Sequence, residues 1–409
     1  MFIHRLHLEK GSPGREAAKL AGVQMTFWIA WVMTSYQTIF LKEEGFNAAA
    51  VGLVNALMSA VAIAAMTFWG MVSDKIHSVR KVNMILLIVG FALYAMIPVL
   101  GGFPEAFLIL VLFIPFSNFF KGSTTIFLDN LTVRSCNTKG MHYGVIRSSG
   151  SIAYAIMSLI VAANIGWLGA ENTFWVGALL MIIPTVLIFF CEEPGGSRRA
   201  KASKDNSLPV GLLFKDRQYM ALLVFTFVFY VAIGFEASFL PYYLDEMGFG
   251  SNNYGVLLAF RAFMEVPLLL GLSRLRRHFR MQYLIMIAAT LMAMECFLFG
   301  TVVNSLPVCV LVCLLFGLGN GLYIGASPNY IYQLAPEQLK ATAQAIYASV
   351  LSAAGIVGNL LGGVLFDGVG GCVFYRITGA VFVTAVGLFI LSQLLGRSAK
   401  TKQVEQAEI

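Results

Sequence analysis

The sequence predicts an all-α membrane protein with twelve transmembrane helices in two parallel repeats of six. Three observations carry this. The 409 residues are 58% hydrophobic and only 12% charged, where a soluble globule carries about 25% charge. Apolar runs of about 20 residues, the length that crosses a bilayer, recur along the whole chain. A motif of the first half also returns in the second. Leu41-Lys42-Glu43-Glu44-Gly45-Phe46 with Val51-Gly52 aligns with Leu244-Asp245-Glu246-Met247-Gly248-Phe249 with Tyr254-Gly255, each residue 203 positions on. A parallel duplication relates the halves by an axis along the membrane normal and puts a binding site between them near the midplane.

The spans are expected at 20–41, 49–72, 82–100, 106–131, 145–166, 173–191, 218–243, 252–273, 281–303, 306–333, 341–365 and 372–395. The basic segment before residue 20 has no small-residue cleavage site, so the first run is read as an uncleaved span. The longest polar interruption, with Pro194-Gly195-Gly196-Ser197-Arg198-Arg199, separates six spans from six. The expected units are an N-tail at 1–19, a six-helix bundle at 20–191, a linker at 192–217, a second bundle at 218–395 and a C-tail at 396–409.

Charge sets the orientation. Nearly all of the 28 Lys and Arg fall in the tails, the linker and the 2–3, 4–5, 8–9 and 10–11 loops, while the opposite loops hold only Lys42. The positive-inside rule then places both termini and the linker in the cytoplasm. This distribution also accounts for the net charge of +7, so no nucleic-acid partner is expected. Six cysteines lie mostly in apolar runs without a Cys-x-x-Cys pair, so neither a disulfide framework nor a zinc site is expected. There is no Gly-rich phosphate loop and no metal-ligand spacing. Neither enzyme chemistry nor a cofactor or metal is therefore expected.

The informative residues are charges inside the spans. Such a charge costs about 2.5–3.5 kcal/mol even on a lenient insertion scale, and usually faces a protein interior or a watery cavity. Asp129 ends span four and Arg147 begins span five, so the two can meet at one depth. Helical spacing adds polar and aromatic stripes: Asn118, Lys121, Thr125 and Asp129; Arg147, Ser151, Tyr154 and Ser158; Asn320, Tyr323, Ser327 and Tyr330; Gln344, Tyr347, Gly355 and Asn359; and Gln24, Trp28, Trp31 and Ser35. These suit a wet cavity with hydrogen-bond partners and flat stacking faces. The competing reading for any one of them is interhelical glue. Lys121 is a candidate to neutralise Asp129. Arg261 and Glu265, four apart, are read as a proton switch in which Glu265 re-pairs with Arg261 on losing its proton. The competing reading is a constitutive ion pair. Glu236 is a second proton candidate. The glycines at 317, 319 and 321 are read as close-packing positions.

Gly70-Met71-Val72-Ser73-Asp74-Lys75 with Arg80-Lys81 resembles the 2–3 loop signature of the major facilitator superfamily, with His77 where a second Gly usually stands. The resemblance implies a cytoplasmic gate at Gly70, Asp74 and Lys75. It also implies that the third helix of each triplet packs outside, which takes Glu295 away from the cavity. Leu128-Asp129-Asn130 with Tyr143-Gly144-x-x-Arg147-x-x-Gly150-Ser151 looks like the proton-symporter branch of lactose, nucleoside and phenylpropionate permeases. Met264-Glu265-Val266-Pro267 resembles the same branch.

The resemblance implies solute contacts at Asp129 and Arg147, and the polar stripes add Trp28, Trp31, Lys121, Tyr154, Asn320 and Tyr323 around them. The buried charges put proton coupling at Glu265, Arg261 and Glu236. The expected protein is a monomer in a cell membrane, the bacterial inner membrane first. It imports a small polar solute with protons, an oligosaccharide or nucleoside before an aromatic acid. A proton-driven exporter and a transporter-derived sensor are the alternatives; no Gly-Pro-x-x-Gly-Gly-like run, common in drug/proton antiporters, stands in span five.

Overall fold

The structure is a computed structural model that describes residues 13–193, 211–336 and 339–407. The first part of the expected N-tail and the linker core with Arg198, Arg199, Lys201 and Lys204 lie outside the described residues. Among the described residues all regular structure is helical. Helix α1 (Pro13–Trp31) runs into a 3-10 turn (Val32–Tyr36) and a short helix (Gln37–Glu43). Then follow α2 (Ala48–Ile76), α3 (Val79–Gly101), α4 (Ala106–Lys139), α5 (Tyr143–Leu168) and α6 (Asn172–Phe189). The second half holds α7 (Arg217–Glu246), α8 (Tyr254–His278), α9 (Met281–Phe299), α10 (Leu306–Leu334), α11 (Lys340–Val369) and α12 (Gly371–Ala407).

Eleven helices, α2 to α12, are long and apolar enough to cross a membrane. The expected first span at 20–41 is divided instead. Helix α1 carries Arg15, Glu16 and Lys19 within its 19 residues and ends at the 3-10 turn. Helix α4 is also interrupted, at Gly122-Ser123, between Lys121 and Thr124.

The helix ends follow local chemistry. Asn47 caps α2 by accepting from Ala50 N–H at 2.9 Å, Ser78 caps α3 from Lys81 N–H at 3.0 Å, and Asp216 caps α7 from Gln218 N–H at 2.7 Å. Gly45 and Gly248, the repeated glycines of the sequence motif, take φ of 83° and 75°. That left-handed conformation favours glycine, because a Cβ would crowd the next carbonyl.

The repeat is visible in the packing. In the first half α1 lies against α5 and α6, and α4 against α2 and α3. In the second, α7 lies against α11 and α12, and α10 against α8 and α9. The halves meet where α2 packs on α11 and α5 on α8, again a symmetric set. Repeated glycines make those contacts close. A Cβ on Gly52 would stand 2.4 Å from the Asn359 carbonyl oxygen, and one on Gly255 would stand 2.1 Å from the Tyr36 hydroxyl. Gly363 faces the Ala48 carbonyl in the same way.

The polar bonds between halves gather toward one end. Lys42 pairs with Asp245 and lies over the Tyr242 ring, whose hydroxyl donates to the Phe46 carbonyl at 2.6 Å. Asp367 accepts from the Ala48 and Ala49 N–H groups at 3.2 and 2.8 Å, where it meets the positive end of α2. Deeper in, Asn55 donates to Ser238 at 3.3 Å, and Ser238 to Asn359 at 2.6 Å. The structure is thus closed at the Lys42 end.

Lys42→Asp and Asp245→Lys should each loosen this end, and the double swap should restore it. Distances between spin labels placed on the two halves at that end check this. Single variants that keep the parental distances would refute the latch.

Candidate functional site

A cavity of about 290 Å³ lies between the halves. Trp28, Trp31, Arg147, Ser151 and Tyr154 line one side, and Glu236, Tyr254, Arg261, Glu265, Phe316 and Asn320 the other. Its volume is near the small end of known ligand sites.

The first-half wall is a hydrogen-bonded frame across α1, α4 and α5. Gln24 and Trp28 are one turn apart on α1, and the indole N–H donates to Gln24 Oε1 at 2.9 Å. Gln24 Nε2 donates to Thr132 at 3.0 Å and to Asp129 at 3.5 Å. Arg147 Nε lies 3.5 Å from Asp129 Oδ1, and its Nη1 donates to Ser151 at 3.2 Å. Its guanidinium sits 4.3 Å from the Trp28 ring centroid, a stacked cation–π arrangement that suits Arg. Tyr154 meets Trp28 edge-on at 6.0 Å and bonds Ser35 at 3.0 Å. Gly150 makes room for this: a Cβ there would stand 2.4 Å from Trp28 Cδ1. The wall presents one flat indole, one guanidinium edge and one carboxylate, groups that stack rings and bond hydroxyls.

The second-half wall holds a triad. Arg261 bonds Glu236 of α7 and, at 2.6 Å, Glu295 of α9, and lies 4.3 Å from the Phe316 ring centroid. Both glutamates are fully buried and Arg261 is 5% exposed. The second oxygen of each carboxyl has no hydrogen-bond partner. One cation with two acids is neutral only when one acid holds a proton. Glu265, one turn below Arg261, accepts instead from Asn320 at 2.6 Å. Close packing of α10 on α8 sets both residues. A Cβ on Gly317 would stand 2.3 Å from the Arg261 carbonyl, and one on Gly321 would stand 3.0 Å from the Glu265 backbone.

Six of the expected solute-contact residues are on or beside the cavity: Trp28, Trp31, Arg147, Tyr154 and Asn320 line it, and Asp129 stands behind Arg147. Lys121 and Tyr323 are elsewhere. Lys121 is 4% exposed, donates to Gln37 at 3.3 Å and lies over the Tyr94 ring at 4.2 Å, while Asp129 pairs with Arg147. The break at Gly122-Ser123 explains this, since the stripe through Asn118, Lys121 and Asp129 assumed an unbroken helix. Tyr323 is buried, bonds the Tyr347 hydroxyl at 2.8 Å and stacks on Phe229 at 4.3 Å.

The proton candidates also pair differently. The expected Arg261–Glu265 couple gives way to Arg261 with Glu236 and Glu295. Glu295 does pack away from the cavity, but its partner was missed. The signal was there, an acid in an otherwise apolar span. At the expected gate, Gly70, Asp74 and Lys75 occupy the last turns of α2, and His77 ends that helix with φ 56°. The carboxylate that receives the Val79 N–H, at 2.9 Å, is Glu193.

The MFS_1 like family matches residues 27–377. The chain belongs to this family of the major facilitator superfamily. Its homologues are transporters, so it is not an enzyme. It is 27% identical over 338 residues to a maltose permease of Geobacillus stearothermophilus, spanning 81% of this chain and 82% of that one. It is 22% identical over 366 residues to a putative nucleoside transporter of Escherichia coli, YegT, spanning 84% and 82%. The crystal structure of the nucleoside transporter NupG superposes with a TM-score of 0.71 at 18% identity, covering 92% of this chain and 98% of that one. At that identity the likeness shows the fold.

Gly150→Leu should push Trp28 off its hydrogen bond and off Arg147 while leaving the bundles assembled. Loss of one such framed contact is worth about tenfold or more in solute affinity. Calorimetry on monodisperse protein checks this, and unchanged affinity would remove Trp28 from the site.

Proposed function

We propose that this membrane transporter imports a small polar solute together with protons by alternating access. The observation that carries this reading is the two-sided cavity. One wall offers a Trp, an Arg and an Asp for a hydroxylated or ring-bearing solute. The other holds more buried acid than base. The similarity to a maltose permease and to nucleoside transporters supports an oligosaccharide or a nucleoside as the solute.

On this reading Arg147, Asp129 and Trp28 bind the solute, with Trp31, Tyr154 and Asn320 around it. Lys121 and Tyr323 support the site from inside their bundles. Glu236, Glu265 and Glu295 are the groups that exchange protons, with Arg261 as the fixed cation between two of them. The chain spans the bacterial inner membrane twelve times as a monomer, with α1 and its continuation as the first span and both termini in the cytoplasm. The domain limits are those expected from the sequence. Gly70, Asp74 and Lys75 act at the cytoplasmic gate. The positive-inside rule puts Lys42 outside, so the contact between the halves at that end is the outer gate in its closed position.

Proteoliposome uptake under an inward-acid gradient tests the proposal. Uphill accumulation of labelled maltose or uridine supports symport; flux only under the reversed gradient would mean export, and no flux a sensor. Asp129→Asn should abolish solute binding in folded protein, since it removes the acid that orients Arg147 and Gln24. Unchanged affinity by calorimetry would refute the assignment. Glu295→Gln should leave exchange of solute down its gradient intact while accumulation fails. Glu265→Gln is the parallel measurement, and whichever variant still concentrates solute does not carry the coupled proton.

A further inference from the structure

A second cavity, of about 450 Å³, opens on the face of the second half that bears the basic 8–9 loop. Arg276, Arg277, His278, Arg280, Gln282 and Tyr330 line it. It contains the start of α9, whose N-cap residue Arg280 makes no side-chain cap. Free N–H groups at a helix start together with several cationic side chains form an anion site.

The first half shows what belongs there. At the corresponding start of α3, Glu193 accepts from the Val79 and Arg80 N–H groups at 2.9 and 3.4 Å, and Arg80 Nε lies 3.7 Å from it. The Ser78 hydroxyl donates to the same carboxylate. Glu193 comes from the chain just beyond α6. The chain at the matching stage of α12 reads Leu394-Leu395-Gly396-Arg397, with no acid. Asp216, an acid on this face of the second half, is engaged: its carboxylate accepts from the Gln218 and Tyr219 N–H groups at the start of α7. Tyr330 is 5% exposed and has Gln393 beside its hydroxyl. The first half therefore supplies its own anion, while in the second the described residues leave a basic space for one.

We propose that this cavity binds a phosphate-bearing anion, held by Arg277 and Arg280 and by the N–H groups that begin α9. The ligand chemistry is a phosphate oxyanion, from an anionic phospholipid headgroup or from free phosphate. A bidentate Arg contact and a helix start both suit phosphate oxygens. At the level where helices leave the bilayer, a headgroup lies within reach.

The test uses the purified full chain in phosphate-free buffer. Binding of short-chain phosphatidylglycerol, inorganic phosphate and short-chain phosphatidylcholine is followed by native mass spectrometry and thermal shift. Saturable binding of phosphatidylglycerol that weakens at least tenfold in R277Q/R280Q supports the site with a headgroup as ligand. Phosphate that competes for it supports the site with a free anion as ligand. Equal binding by the parent and the double variant, or equal binding of phosphatidylcholine, overturns the proposal. If the double variant does not purify, R280Q alone, at an exposed side chain, is read by the same criteria.

Discussion

The close approach of the two halves at the Lys42 end is the contact on which the other features depend. It uses glycine backbone against backbone carbonyl at Gly52 and Gly363, and glycine against a tyrosine hydroxyl at Gly255. Without a hydrophobic drive between helices in lipid, such contacts rest on van der Waals fit and interhelical hydrogen bonds. Small residues let the backbones meet, and Asp367 on the start of α2 adds a charge-assisted bond that any widening would break. Here α2 meets α11 and α5 meets α8, and these two contacts hold the halves together at this level.

The walls themselves show two ways of keeping charge in an apolar chain. Asp129 and Arg147 are an exposed-edge pair in a frame of uncharged donors, with side chains 38% and 24% exposed. A pair left partly in water loses little solvation, so it can give up a partner to a ligand. Arg261, Glu236 and Glu295 are dry. Removing one partner from such a group leaves an uncompensated buried charge, which costs about 3–5 kcal/mol. The two walls therefore hold charge differently, one as a pair with exposed edges and the other as a buried triad.

Much of this was legible in the sequence, and the failures share a cause. Helix limits followed from apolar length, and the charges of α4, α5, α7 and α8 marked the cavity because each needs a partner. The repeated Gly45/Gly248 and Gly52/Gly255 marked two turns and two close contacts. Spacing failed where a helix was not regular. The Gly122-Ser123 break turned Lys121 into the bundle, and the 3-10 turn at Val32–Tyr36 divided the first span. Pairing also failed where partners came from other helices. Arg261 was four residues from Glu265, yet Glu236 and Glu295 reach it from α7 and α9. A sequence shows local neighbours, while a buried cation collects acids from whatever helix faces it.

Duplication imposes a further constraint that this chain meets at its axis. Lys42 and Asp245 occupy equivalent positions in the repeat, 203 residues apart, and they touch. Equivalent positions related by a two-fold can touch only on the axis itself. An undiverged repeat would put two lysines, or two acids, in contact there. Two like charges about 4 Å apart repel by about 4 kcal/mol at the effective dielectric of a protein surface. Contact between the halves at this position therefore requires that they differ in sign there. The start of α3 and the start of α9 differ for a related reason. Each begins with N–H groups that its own helix cannot satisfy, and among the described residues only the start of α3 is bonded by an acid from beyond its helix, so equal helix starts in a duplicated scaffold carry unequal charge.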